Sequence, residues 1–447
     1  MRRPSIRSLA GGAAGIVAGV TTGIVLTAVS AAGPSAIPDA PTVIDAAHVP
    51  PLLRLPGEPA QLRYSLACTP RADGRPCAGS GTVYVRYGES GAYRPLPLSR
   101  GDDSQAGRYY ADVGPGVRTF TYYAVLRDEA TGATVTIPSG GAAAPQLSLE
   151  LQDPITAALG THEFGRPRPP SANVVTAHWG AGTEQVGLAG SRELGYSGPS
   201  SFDVETDGTV DVLDSVNARV SRWRGGRATS IALDKRAVLA DFAVEAGGGF
   251  DVLDVHGALR RFHPDGTLAW TQMLADRTWA KLDDGSAGSV VLQEPAEQWL
   301  PIADHGTPLS RTAQARAAHN GKPLPNGHEL LVDRIGVREL RVAEVAGRAL
   351  LRSWRVTSAT PLGEVQLAQP LGSGLVVVAK VYTDDRDEFL VLVLGGDGVA
   401  DSFSVASDSW TETAPLARFR LAAGALYRLH TTSAGLSVDR FDLEVPR

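Results

Sequence analysis

The feature that most constrains this chain is an internal repeat. Residues 202–214 read FDVETDGTVDVLD, and forty positions later residues 242–254 read FAVEAGGGFDVLD. Eight of the thirteen positions are identical: Phe, Val, Glu, Gly and the closing Asp-Val-Leu-Asp. After a one-residue slip, Val220, Arg222 and Trp223 face Leu259, Arg261 and Phe262. A degraded third copy starts at Trp279, six residues before Gly285, which repeats the spacing from Phe202 to Gly208. Period-two alternation within a unit of about forty residues describes short strands that must stack on neighbouring copies to bury their apolar faces.

Each copy divides into four short strands. In the first they are expected at 200–205, 209–214, 219–223 and 229–233, with Asp207-Gly208 as a tight turn in which glycine takes a positive φ without steric cost. Four strands in about forty residues is the unit of a β-propeller. Drifted copies follow. Strands at 329–334, 339–344 and 349–356 form a fourth unit, and 374–382, 388–394 and 399–405 a fifth. A sixth has strands at 418–421, 425–430 and 435–443 and lacks an outer one. Residues 173–178 are free to supply it, which joins the two ends of the ring and removes two sheet edges. The expected fold is all-β, an N-terminal β-sandwich followed by a six-bladed β-propeller over 171–447.

Before the repeats the pattern changes. Leu62, Tyr64 and Leu66 alternate with polar neighbours, as do Val83, Val85 and Tyr87, then Phe120, Tyr122, Ala124 and Leu126, then Val135 and Ile137. Gly- and Asp-rich breaks separate these runs. The pattern over 50–147 resembles immunoglobulin-like or fibronectin-type-III domains, which implies an antiparallel sandwich. Residues 33–49, rich in Ala and Pro, read as a linker, and 148–170 as a connector. The only two cysteines, Cys68 and Cys77, bound a short loop and read as a disulfide spanning adjacent strands rather than two sheets.

The N-terminus carries Arg2, Arg3 and Arg7, then no charge until Asp39. An apolar stretch through Leu26 ends in small residues near Ala31. Residues 1–32 therefore read as a secretory signal, or as an uncleaved anchor, since the uncharged run exceeds the ~20 residues that span a bilayer. Either way the body is exported, secreted or on the outer face of the cell membrane. Without those arginines, 39 basic residues stand against 48 acidic ones. That balance gives no attraction to nucleic acid or anionic lipid.

Residues 199–223, PSSFDVETDGTVDVLDSVNARVSRW, resemble an NHL repeat. The shared features are Pro199, Phe202 and Val204, the Asp207-Gly208 turn, and Val210, Val212, Asp214, Asn217, Arg219 and Val220. The second copy lacks the Asn and Arg. The resemblance implies a propeller used as a binding platform. Related propellers include lyases and hydrolases with a metal in the central channel.

Loops between second and third strands rise on one face of such a ring. Asp214 and Asn217, and in the next copy Asp254 and His256, are therefore candidate binding residues. The competing reading is that they cap tight turns. No two histidines have zinc-like spacing, though His256, His305 and His328 come from three separate units. Residues 383–388, TDDRDE, could hold Ca²⁺ or form a charged hairpin tip. The tryptophans at 223, 270, 279, 299 and 354 fall at strand positions and read as packing. No catalytic set, nucleophile elbow or phosphate loop is present. The expected function is an exported, non-enzymatic binding scaffold for a protein or glycan at the cell surface, with the sandwich as a spacer or adhesion module. The alternative is a lyase or hydrolase with a metal-dependent site in the channel.

Overall fold

A computed structural model describes residues 44–68, 79–88, 90–101, 107–245, 247–274, 281–284, 290–293, 298–412 and 415–446. Both readings of residues 1–32 fall outside these, as do Cys77 and Trp279. Nothing is described of the Cys68 side chain. Among the described residues no helix is long and apolar enough to cross a membrane.

Six sheets, here I to VI, follow one plan. Sheet I runs Ser201–Val204, Val210–Asp214, Arg219–Arg224, Arg227–Ala232, each strand antiparallel to the one before. Sheet II repeats this with Leu239–Val244, Phe250–Asp254, Ala258–Phe262 and Leu268–Met273, and sheet III with Lys281–Asp284, Val290–Gln293, Trp299–Asp304 and Thr307–Pro308. Sheet IV has Lys322–Pro323, Glu329–Ile335, Glu339–Ala346 and Ala349–Ser358, and sheet V has Leu362–Leu371, Gly374–Tyr382, Asp387–Gly395 and Gly398–Ala406. Sheet VI has Phe419–Ala422, Ala425–Thr432 and Gly435–Asp442, its fourth strand is Ala172–Trp179, and the short Gln185–Val186 pairs parallel beyond that.

The first strand of sheet I packs on those of II and VI, that of II on III, and that of V on VI. Apolar cores lie between successive sheets. Phe242 and Phe250 meet Leu213 and Val220 between I and II, and Phe202 and Val212 meet Tyr427 and Val438 between VI and I. Sheets stacked face to face around their innermost strands make a β-propeller. The inner face of every strand is needed by one neighbour and the outer face by the other, which is why VDVLD and FDVLD are buried at every position.

The repeat identities have a structural cause. Asp211, wholly buried, accepts from Arg222 Nε at 2.8 Å, and Glu205 pairs with the same guanidinium. In sheet II, Asp251 and Glu245 hold Arg261 in the same way. Burial pushes both aspartates above the usual carboxylate range, with Arg222 and Arg261 opposing the shift. At the Asp207-Gly208 turn, Gly208 has φ +84° and Asp207 accepts from Thr209 N at 2.9 Å.

The N-terminal part is two sheets sharing one core. Ile44–Val49, Ala60–Cys68, Arg108–Val113 and Ser99–Arg100 form one, and Leu53–Arg54, Gln146–Glu150, Phe120–Asp128, Gly79–Tyr87, Arg94–Pro97 and Thr134–Ile137 the other. Leu62 and Tyr64 from the first meet Val83, Phe120 and Tyr122 from the second. Two expectations are corrected here. Residues 44–49, taken into the linker on composition, form a strand, because their backbone pairs with 63–68 in full register. The strands that flank the cysteine loop, Ala60–Cys68 and Gly79–Tyr87, belong to different sheets and not to one, while the loop and the disulfide reading lie outside the described residues.

This two-sheet body is also docked, which differs from a spacer. Leu53, Leu147 and Leu149 share a core with Leu331, Ala343 and Val345 of sheet IV. Leu53 N donates to Asp333 at 3.0 Å, and Leu147 N to Asn320 Oδ1 at 2.9 Å. Within the connector, Ile155–Leu159 adds a parallel fifth strand to sheet IV.

Candidate functional site

Asp214 ends the second strand of sheet I, and its lone pairs are used locally. It accepts from Gly187 N (2.9 Å), Asn217 N (3.3 Å), Asn217 Nδ2 (2.7 Å) and Arg219 Nε (3.0 Å). Asn217 Nδ2 also donates to Gly180 O at 2.9 Å, and Arg219 donates to the carbonyls of Ala181, Gly182 and Gln185. Together these three residues pin the segment 180–187, which leads from the fourth strand of sheet VI toward sheet I. Asp254 accepts from His256 N and Ala258 N, both at 2.9 Å, and from Arg260 at 3.0 Å. The His256 ring is exposed. Ala218 and Gly257 occupy the same turn position, with φ +52° and +80°. The four candidate residues are thus brought together only as equivalent turns of neighbouring sheets.

The other candidates separate. His328 pairs with Glu344 at 2.7 Å, His305 sits exposed beside Asp304, and neither meets His256. Residues 383–386 make a hairpin tip, while Glu388 turns inward to His162 (2.9 Å) and Gly165 N (2.7 Å). Trp223, Trp299 and Trp354 are buried, and Trp354 Nε1 donates to Gly395 O at 3.0 Å.

Two features were not foreseen. The first is on the axis. Inner-strand positions 201, 241 and 281 are Ser, Asp and Lys, and positions 203 and 283 are both Asp. Asp203 accepts from Val244 N of the next sheet at 3.0 Å, and Asp241 from Leu282 N at 2.8 Å and Ser201 Oγ at 2.6 Å. Burial pushes both carboxyls up, and Arg420 is the strongest opposing influence. Arg420, from sheet VI, reaches Phe202 O at 3.0 Å and Phe242 O at 3.4 Å. Lys281 reaches Gln366 O of sheet V at 3.1 Å, and Asp283 pairs with Lys322 of sheet IV at 2.6 Å. Charged side chains therefore span the channel. Against them lies a cavity of about 540 Å³ whose lining includes Lys281, Glu364 and Trp299, with Val49 and Leu52 contributed by the N-terminal body.

The second is aromatic. Tyr196 stacks on Trp410, with centroids 4.4 Å apart and planes 17° from parallel, and Trp179 lies 5.9 Å from Trp410. All three are half-buried. Trp179 is held by its Nε1 bond to Thr432 O (3.0 Å), and Tyr196 O accepts from Glu412 N (2.9 Å). Leu194, at the tip of the hairpin that carries Tyr196, is 86% exposed. Trp179 directly precedes Gly180, the residue that Asn217 holds. Two of the candidate binding residues, Asp214 and Asn217, thus hold the segment that adjoins this cluster. Among the described residues no group of three or more His, Cys, Asp or Glu is placed to hold a metal.

No family model matches the chain, and no curated protein sequence is significantly similar. Among solved structures it is similar to BamB from Moraxella catarrhalis, with 10% identity, 54% of this chain and 96% of that one covered, and a TM-score of 0.30. A streptogramin B lyase is similar at 9% identity over 80% of this chain and 97% of that one, with a TM-score of 0.29. YCF48 bound to D1 peptide is similar at 9% identity over 64% and 98%, with a TM-score of 0.34. At such scores the fold assignment rests on this chain's own sheet topology.

Proposed function

We propose that this chain is an exported, non-enzymatic binding scaffold that takes a protein or glycan on the propeller face carrying Trp179, Tyr196 and Trp410. The observation behind this reading is that aromatic cluster, half-open to solvent beside the 86% exposed Leu194. Rigid aromatic rings supply contact area at low entropic cost, and such residues dominate binding energy at interfaces. In the same reading the six sheets are six blades of NHL type, and the N-terminal pair of sheets is an immunoglobulin-like sandwich.

The test is binding of the purified protein to peptide and glycan arrays, followed by titration of the best hit. Trp410→Ala should weaken the hit at least tenfold with the melting transition still cooperative. Unchanged affinity in that variant would remove this face from the proposal.

A lyase or hydrolase with a metal in the channel ranks second. In its favour, Asp203, Asp241 and Asp283 lie on the inner strands of three successive sheets. Against it, their oxygens already receive backbone N–H groups or Lys322.

A further inference from the structure

We propose that the axial cavity is a binding site for a small organic monocarboxylate, with Lys281 as its counter-ion. Lys281 lines this cavity half-buried, and its ammonium makes one hydrogen bond, to Gln366 O at 3.1 Å. Among the described residues no carboxylate oxygen lies within salt-bridge distance of it. Asp283 and Asp241 attract it only from farther away, and Arg420 and Lys322 repel it. Lys322, by contrast, has its own close partner in Asp283. A desolvated cation with one neutral acceptor is a costly arrangement, and such arrangements persist where a ligand completes them.

The walls define the rest of the ligand. Three carboxylates, Asp283, Asp333 and Glu364, line the cavity against Lys281, Lys322, Arg334 and Arg420, so one added negative charge balances the lining and a second would be in excess. Trp299, Leu52 and Leu367 offer an apolar wall. One anionic head on an apolar body fits that lining. The volume of about 540 Å³ is in the range of small-molecule pockets. The same inner-strand position holds Ser201 and Asp241 in the two preceding sheets, and both of those are spent on each other. Lys281 is the member of the set left facing the cavity. This site is independent of the aromatic face, and either could fail without the other.

The experiment uses the full chain and three probes of one skeleton, 4-phenylbutyrate, its amide and the corresponding amine, titrated by calorimetry. The carboxylate should bind at least tenfold more tightly than the amide, and the amine should not bind. Lys281→Met should erase the carboxylate's advantage, and Lys281→Arg should keep it. Removing a partly desolvated cation that has no close carboxylate should also raise the ligand-free melting temperature by about 2–4 °C. Equal binding of carboxylate and amide, absence of binding by the carboxylate, or a Lys281→Met variant that melts lower or fails to fold would each overturn the proposal.

Discussion

Arg341 and Glu58 stand 283 positions apart and meet in a two-pronged ion pair, with bonds of 2.6 and 2.8 Å. The arginine is 2% exposed and also donates to Leu53 O and to Glu339. It fixes the N-terminal two-sheet body to sheet IV. Opposite charge holds Glu58 and Glu339 below the usual carboxylate range, against the upward push of burial. Arg341→Met should destabilise the protein by about 2–3 kcal/mol, less than a fully enclosed pair because Glu58 keeps contact with water. Hydrogen exchange should accelerate first at Leu53–Arg54. A uniform loss of protection across all sheets would contradict a local clamp.

His48 gives the N-terminal body a pH dependence. Its ring is 2% exposed, stacked on Tyr64, and bonded to Arg63 O at 2.6 Å and Tyr122 Oη at 2.8 Å. The Arg63 carbonyl can only accept, so Nδ1 carries the proton and Nε2 accepts from Tyr122. Burial lowers the pKa to about 4. An unfolded histidine near 6.5 takes a proton that the folded one refuses, so its contribution is complete above pH 6.5 and is lost as pH falls toward 4. The span corresponds to about 3 kcal/mol. His48→Phe should flatten the stability profile between pH 4 and 6.5. Titration of the His48 ring near pH 6.5 by NMR would refute the placement.

Asp254 and Asp214 should behave as turn residues. Asp254→Ala should cost about 1–3 kcal/mol, because two backbone N–H groups lose their acceptor, and should leave partner affinity unchanged. Asp214→Ala should cost at least as much and also weaken binding at Trp410, because segment 180–187 loses its anchor. Affinity loss in Asp254→Ala without any change in melting temperature would make that residue a ligand contact instead.

What was legible in the chain follows from how each element is stabilised. Sheets I and II could be read because their Glu–Arg–Asp sets, each built on a buried Asp, and their turns are local and were copied together. The inner strand Lys322–Pro323 has two residues, too few for any alternation. Leu362–Leu371 is longer, but register shifts between Leu362 and Leu367 break its period of two. Asp214 and Asn217 stood out as polar turn residues, yet their partners Gly187 and Gly180 lie 27 and 37 positions upstream and leave no local trace. Trp410 sits in a connection without pattern. Lys281 was visible only as one of four lysines until the fold placed it on the axis.

Metal content discriminates the two functional readings. The purified protein should carry no stoichiometric metal by elemental analysis, and chelator should leave its melting temperature unchanged. One equivalent of Zn²⁺ or Ca²⁺, lost together with several degrees of stability, would favour the channel enzyme.

The closing strand should be indispensable. Val175 is 2% exposed, within the core between sheets VI and I. Val175→Asp should cost more than about 3 kcal/mol, since a charge would be buried without a partner. Deletion of residues 173–178 should abolish the single cooperative transition. A deletion variant with an unchanged melting curve would show that the ring does not need this clasp.

That clasp also sets an order of events during synthesis. Asn173 bonds to Asp439, 266 positions later. A chain emerging N-terminus first displays strand Ala172–Trp179 long before its partner exists, and five sheets can form before the ring can shut. Throughout that interval the molecule is an open arc with an adhesive edge at each end. Loss of strand Gly435–Asp442 would leave it permanently in that state, so this strand should tolerate truncation as poorly as the core.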